Sequence, residues 1–528
     1  MLRAIGHFAR LARAGFICAR EGVFAIIDPQ SLPPVLRFVV AFGRLIERRN
    51  AGGADVRLSA ALTRLGPSWV KFGQFLATRP DIVGAALARD LENLQDRMAP
   101  FGTDEARRVI ESALGAPVET LFVEFGPPVA AASIAQVHRA AVLLPDGSRR
   151  AVAVKVLRPG VERRFQRDLD DFFFLARFGE RNSKEGERLR LVAAVETLAR
   201  SVVMEMDFRL EAAALSEMAE NTAGDADFRV PDVDWDRTAR SVLTQEWIDG
   251  IKLSDQAALL AAGHDLKAIS RALMQSFLRH AMRDGFFHGD MHPGNLFVDE
   301  QGRIVAVDFG IMGRLGDTEQ RFLAEVLHGF IVRNYRRVAE IHFEVGYVPD
   351  IHPVEAFTQA VRAIGEPIHG RSTDQISMAK LLTLMFEITA LFGMRTRPEL
   401  LLLQKSMVVV EGVARALDPK FDMWSASAPV VKEWIARNLG PVGRVEDVTE
   451  GAIGVGRFVG AVPDLLTRAA IITRRADELT RAGFVLAPET VEAIGRAEGR
   501  GNRSLAAAAW IIAALLAALL AVLVLKLG

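Results

Sequence analysis

Residues 288–295 read His288-Gly289-Asp290-Met291-His292-Pro293-Gly294-Asn295, and eighteen residues after Asp290 stands Asp308-Phe309-Gly310. The first stretch carries a carboxylate and a carboxamide five residues apart. The second places another carboxylate at the end of the apolar run Ile304–Val307. Phosphoryl transfer needs parts of this kind. One carboxylate aligns or deprotonates the attacking oxygen, while an Asp and an Asn hold Mg2+ on the phosphates. Either motif alone is weak; their order and spacing together carry the reading.

The spacing of Asp290 and Asn295 is that of the protein-kinase catalytic loop H-R-D-L-x-x-x-N. Upstream, Val152-Ala153-Val154-Lys155 matches the strand whose lysine pairs nucleotide phosphates. The segment around it, AAVLLPDGSRRAVAVKVL, reads as strand, turn at Pro145-Asp146-Gly147, strand. Ser241–Trp247 and Arg303–Val307 are further short strands. Helical patterning covers Leu65, Trp69, Phe72 and Leu76, then Asp81–Gln95, Leu191–Glu220, Asp265–Asp284 and most of Gly316–Arg437. A small sheet-bearing lobe followed by a helical lobe is expected. Glu211 is the best carboxylate partner for Lys155; Asp207 shares its helix face four residues earlier, whereas Glu205 points elsewhere on an ideal helix. The loop before the lysine, Ala130-Ala131-Ala132-Ser133-Ile134-Ala135-Gln136-Val137, lacks the glycines that usually let backbone N–H groups approach phosphates. By itself it reads as the start of an alanine-rich helix.

The 528 residues carry 65 Lys+Arg and 65 Asp+Glu, so no global cationic field argues for nucleic acid as a partner. The single cysteine, Cys18, excludes an internal disulfide framework. Mean hydropathy is +0.17, and its source is local. Leu505–Leu525 holds no charge, Pro or Gly. As a helix it rises roughly 31 Å, the thickness of a bilayer hydrocarbon core. Arg496, Arg500 and Arg503 precede it, which predicts a single-pass C-terminal anchor with the main body cytoplasmic. At the other end, Arg3, Arg10, Arg13 and Arg20 alternate with apolar residues. That pattern suits either an anionic membrane surface or a helix packed on the body. His342 and His352 have no metal-ligand spacing and read as surface or core histidines.

Lys71-Phe72-Gly73-Gln74, the alanine-rich loop, Glu205-x-Asp207, HGDMHPGN and DFG together resemble the UbiB family of atypical kinase-like proteins, the ADCK group. The resemblance implies an α+β, bilobal protein-kinase-like fold with a helical N-terminal extension and a C-terminal transmembrane helix. The corresponding divisions are a basic amphipathic segment (1–50), a helical extension bearing the signature (51–120), an N-lobe (121–250), a helical C-lobe (251–440), a juxtamembrane region (441–504) and the span 505–525. It implies ATP or ADP with Mg2+ as cofactors. Lys155 would pair the phosphates and Glu211, Asp290 would take the catalytic position, and Asn295 and Asp308 would bind the metal. Residues 130–137 would cover the phosphates, and Gln245, Glu246, Trp247 and Ile248 would form the hinge that receives adenine. Lys71 and Gln74 would sit on a helix over the usual protein-substrate site, held by Glu205 and Asp207. The implied role is in ubiquinone biosynthesis at the bacterial inner membrane, with lipids, polyprenyl-phenol precursors and biosynthetic enzymes as partners. A small-molecule or lipid kinase is the alternative, and a part in 2-polyprenylphenol hydroxylation a third. Three departures from ordinary kinases point away from protein substrates. His292 stands where a catalytic-loop lysine is usual, Gly289 replaces an arginine, and Gly310–Gly316 leaves little room for an activation loop.

Overall fold

The computed structural model describes residues 2–23, 44–48, 57–77, 91, 94, 98–182, 190–367, 388, 391–394 and 398–439. The chain divides into two compact units, residues 1–65 with 444–528 and residues 66–443. The expected juxtamembrane region and the span 505–525 lie outside the described residues, as does most of the helix expected over Asp81–Gln95. Among the described residues no helix is long and apolar enough to cross a membrane.

In the first unit, α1 (Leu2–Arg20) packs on α2 (Arg57–Leu65). Ala14 and Ala19 are buried, and the nearly enclosed carboxylate of Glu21 pairs with Arg64 at 3.1 Å and Arg48 at 3.5 Å.

The second unit begins with α3 (Pro67–Ala77), α4 (Thr103–Leu114) and α5 (Val118–Leu121). An antiparallel sheet follows, in the order β1 (Glu124–Ala131), β2 (Ala135–Leu143), β3 (Arg149–Leu157), β5 (Val242–Glu246). The expected hairpin forms. Gly147 takes the left-handed conformation at φ +84°, and Asp146 Oδ1 accepts from the Ser148 N–H at 2.9 Å, so the turn closes and sets a nine-pair register from Ala135↔Leu157 to Leu143↔Arg149. Strand alternation then sorts the side chains. Val152, Val154 and Val156 enter a core with Ala140, Val142, Val242 and, from α4, Ala106 and Ile110. Ala153 and Lys155 take the opposite face.

Next come α6 (Val161–Asn182), α7 (Leu191–Glu205) and α8 (Phe208–Thr222). The single helix expected over 191–220 is broken at Met206–Asp207. Asp207 adopts extended backbone at φ −117° and caps α8, its side chain accepting from the Arg209 N–H. A cap of this type is worth about 1 kcal/mol. The Phe208 N–H leaves helical pairing for Arg240 O at 2.9 Å. Glu205 and Asp207 therefore belong to two helices, and Asp207 stands at the start of the one that carries Glu211.

A second sheet runs β4 (Phe228–Arg229), β9 (Ile304–Ala306), β8 (Leu296–Val298), β6 (Ile251–Lys252), and β7 (Phe286–His288) pairs with β10 (Met312–Arg314). The helices around them are α9 (Gln256–Ala261), α10 (Leu266–Arg279), α11 (Asp317–Ile331), α12 (Tyr335–Glu344), α13 (Val354–Gly365), α14 (Pro398–Leu417) and α15 (Met423–Asn438). Asp265 caps α10, which passes into one π-helical turn at His280–Asp284 and stops at Gly285, left-handed at φ +60°. The large core joins α6, α7, α8, α10, α14 and the second sheet through Phe172, Leu215, Phe277, Phe309 and Val410. Burying each such aromatic side chain contributes roughly 1.5–3 kcal/mol.

His342 proves to be a half-buried residue set in an aromatic cluster. It donates through Nδ1 to Val338 O at 2.6 Å and lies against Phe322 and Phe357. Burial pushes its pKa down to about 4. An unfolded histidine titrates near 6.5, so between these values the unfolded chain binds more protons and stability rises with pH. The His342 contribution is fully present above about pH 6.5 and is lost as pH falls through 4. Urea titrations at pH 7.5 and 5 should show a loss of stability that is smaller in His342→Leu than in the wild type. Equal losses in both would refute the assignment.

Candidate active site

The β2–β3–β5 register decides which groups face the cleft between the two sheets. Val137 pairs with Lys155, Lys155 with Leu243, and Ala153 with Gln245, so these residues share one face. From that face Lys155 Nζ reaches Glu211 Oε1 at 2.8 Å and Oε2 at 2.9 Å, and Asp308 Oδ1 at 3.4 Å. Glu211 stands on the first turn of α8, which the Asp207 cap positions. Its carboxylate also accepts from the Phe309 N–H at 3.3 Å. Burial works against the Lys155 ammonium, but Asp308 and Glu211 outweigh it and hold its pKa above the ordinary lysine range. Burial raises the Glu211 carboxyl against the pull of Lys155. Asp308 is likewise opposed by burial, yet Lys155 and the Gly310 N–H keep it well below the usual carboxylate range and ionised.

Asn295 and Asp308 meet because β8 and β9 form a hairpin. Leu296 pairs with Ala306, and the Val307 N–H donates to Asn295 O at 3.1 Å, setting Asn295 beside the residue before Asp308. Both offer hard oxygen donors, the ligand type Mg2+ takes. Asp308 Oδ2 and the Asp290 carboxylate have no hydrogen-bond partner among the described residues. The residues present fit the metal.

His288 was quoted in the sequence without a role. Its Nε2–H donates to Asp308 O, and its Nδ1 accepts from the Asp290 N–H at 3.0 Å. One neutral imidazole thus joins the catalytic loop to the Asp-Phe-Gly turn, and burial lowers its pKa in keeping with that tautomer. Gly289 has a steric reason: a Cβ there would lie 2.8 Å from the Ile311 side chain and 3.0 Å from Ile311 O. Behind it, the buried Ser406 hydroxyl of α14 donates to Gly289 O at 3.0 Å. From Gly310 the chain passes through β10 to α11 at Asp317, so no activation loop intervenes.

The alanine-rich stretch is a hairpin turn, not a helix. Ala130 and Ala131 end β1, Ala132-Ser133-Ile134 make the turn, and the Ala132 N–H donates to Ala135 O at 2.7 Å. Gln136 needs a correction. Its side chain lies on the face opposite Lys155 and is fully buried. It exchanges two hydrogen bonds with the Phe101 backbone, at 2.9 and 3.2 Å, and contacts His138 Nε2 at 2.9 Å. Only its backbone is left for a nucleotide. The same segment holds the turn from outside: the Met98 N–H donates to Ala131 O at 3.2 Å, and Arg158 bridges Ala99 O and Ala132 O at 3.1 and 3.0 Å. At the hinge the Glu246 side chain turns away to Arg229 at 2.9 Å, which also reaches Asp299 at 3.2 Å. Trp247 bonds Asp249 at 3.0 Å, and Ile248 is buried. Gly250 follows because a Cβ there would lie 2.8 Å from Val298 O.

On α3, Lys71 pairs with Glu205 at 2.7 Å, both largely enclosed. Trp69 and Phe72 pack on Phe172 of α6, with ring centroids 4.8 and 4.3 Å away. Of the expected pair of acidic anchors, Glu205 makes this contact. Asp207 instead pairs with Arg209 at 2.6 Å and caps α8. Gln74, one turn on from Lys71, is half-buried on the same helix.

The model of the ABC1 atypical kinase-like domain matches residues 93–342, and that of the UbiB helical domain matches residues 361–422. A protein of Marinobacter nauticus named probable protein kinase UbiB is 39% identical over 446 residues, covering 83% of this chain and 81% of its own. This chain belongs to the UbiB family. A relative of the same name from Xanthomonas euvesicatoria is 38% identical over 82% of this chain and 79% of its own. A solved structure from Mycobacterium tuberculosis, the complex of Rv3197 with erythromycin, is 25% identical over 61% of this chain and 84% of its own, with a TM-score of 0.41. The kinase-like fold is thus established by the family, and Ser406, which braces Gly289, falls within the UbiB helical domain.

Breaking one side of the enclosed Lys71–Glu205 pair leaves the other charge uncompensated. Lys71→Met and Glu205→Gln should each destabilise the chain by about 1–3 kcal/mol, with the double variant costing less than their sum. Denaturant titrations of the four proteins check this; strict additivity would remove the pair from the account.

Proposed function

We propose that this chain is an atypical kinase-like ATPase, dependent on Mg2+ and ATP or ADP, that supports ubiquinone biosynthesis at the bacterial inner membrane. The observation that carries the reading is the meeting of Lys155 with Glu211 and Asp308 beside Asn295 and Asp290. Lys155 is held as a cation, ready to exchange a carboxylate for phosphate oxygens. The turn at residues 132–134 and the hinge 246–248 would cover phosphates and base. Asn295 and Asp308 would hold Mg2+, which neutralises charge on the phosphates when bound. Asp290 would align the attacking oxygen. Helix α3, anchored through Lys71, would occupy the place where an ordinary kinase takes a protein substrate. The uncharged span 505–525 and Arg496, Arg500 and Arg503 before it support action at the bilayer. There, nucleotide turnover would be coupled to access of polyprenyl-phenol precursors or to assembly of the biosynthetic enzymes.

A second reading, a small-molecule or lipid kinase, is favoured by the short link from Gly310 to α11. It makes no platform for a peptide. Radiolabelled γ-phosphate recovered on a lipid or small molecule would promote this reading; recovery only as inorganic phosphate would retain the first.

Asp308→Asn should lower Mg2+-nucleotide turnover by about 10²-fold or more, since it removes a metal-binding charge. Turnover is measured as phosphate release by the full chain, with and without vesicles containing a prenyl-phenol. Turnover like the wild type's in Asp308→Asn would sink the mechanism, and indifference to the lipid would detach it from the membrane role.

A further inference from the structure

Gln245 is the penultimate residue of β5, at the entrance to the hinge, and lies on the cleft face, directly across from Ala153. It is 9% exposed. Its Nε2 donates to Val307 O, one residue before Asp308, at 3.0 Å. Its Oε1 is buried with no hydrogen-bond partner among the described residues. The orientation of the amide follows from that bond, because turning it over would set Oε1 against Val307 O, acceptor against acceptor. A buried acceptor without a donor is costly, about 1–3 kcal/mol, and native structures retain few. Glu246, the next residue, sends its side chain to Arg229, so nothing on the hinge itself supplies the missing donor.

We propose that Gln245 Oε1 reads the base, accepting a hydrogen bond from the exocyclic amine of adenine and so selecting adenine over guanine nucleotides. The inference rests on the nucleotide-binding reading above. If residues 246–248 take the edge of the base, Gln245 stands at the inner end of the same slot, between the hinge and Val307. Adenine carries a donor at position 6, which completes the amide. Guanine carries a carbonyl there, which would face Oε1 as a second acceptor. Turning the amide to suit guanine breaks the bond to Val307 O. Both orientations therefore disfavour guanine, and a site that leaves a buried polar group unpaired discriminates strongly.

The test uses the full chain with Mg2+ and three probes: ATP, GTP and purine riboside triphosphate, which lacks the 6-amine. The wild type should bind ATP at least about tenfold more tightly than either other nucleotide. Gln245→Leu should bind the three within about threefold of one another. Equal binding of ATP and purine riboside triphosphate by the wild type would overturn the proposal, and this arm requires no variant to fold. An unchanged preference in Gln245→Leu would overturn it as well. Failure of the wild type to bind any of the three would sink the nucleotide reading itself, a result distinct from binding without discrimination.

Discussion

The contact of Lys155 with Glu211 links residues 56 apart in sequence and joins the first sheet to α8. Much else is a condition for it. The nine-pair β2–β3 register must turn Lys155 inward. Asp207 must end α7 and start α8 so that Glu211 falls on the first turn. Glu211 must then be enclosed, and the Phe309 N–H completes its shell. A register shift of one residue would carry Lys155 into the valine core and Val154 into the cleft.

The rest of the site is braced by further contacts. The phosphate-loop position has no glycine and is held from outside by Met98, Arg158 and the Gln136–Phe101 exchange. The segment after Asp-Phe-Gly goes directly to β10 and α11. Gly289 is backed by Ile311 and by Ser406 from the helical domain. Among the described residues these contacts tie down the segments that flank the kinase-like centre, in keeping with membership of an atypical family.

Short-range signals were legible. Asp-Gly marked the hairpin, apolar alternation marked β3, and the spacing of Asp290, Asn295 and Asp308 marked the loop and turn they occupy. Local patterning misled in two places. The run 191–220 lacks Gly and Pro, so nothing in its periodicity reveals the break that the Asp207 cap and the Phe208–Arg240 bond impose. The alanine-rich run has helical propensity, which strand pairing with Leu157 and the contacts of Arg158 override. Which face a strand residue presents depends on pairing: Gln136 pairs with Val156 and Glu246 with Val152, so both side chains turn away from Lys155 and only their backbones are left for a nucleotide.

Sequence alone determined the chemistry available and its order along the chain: an ammonium, three carboxylates and a carboxamide at spacings that suit Mg2+ and phosphate. It determined the family as well, because five short motifs in sequence order do not depend on fold geometry to be read. Only the tertiary structure decided which of those groups touch. Lys155 chose Glu211, His288 became the brace, Asp207 became a cap rather than an anchor, and Gln245 was left with a buried acceptor. The physical reason is that hydrogen bonds and ion pairs act over a few ångströms. The register and helix starts that bring groups within that range are set by burial of the whole core, not by any local run of residues.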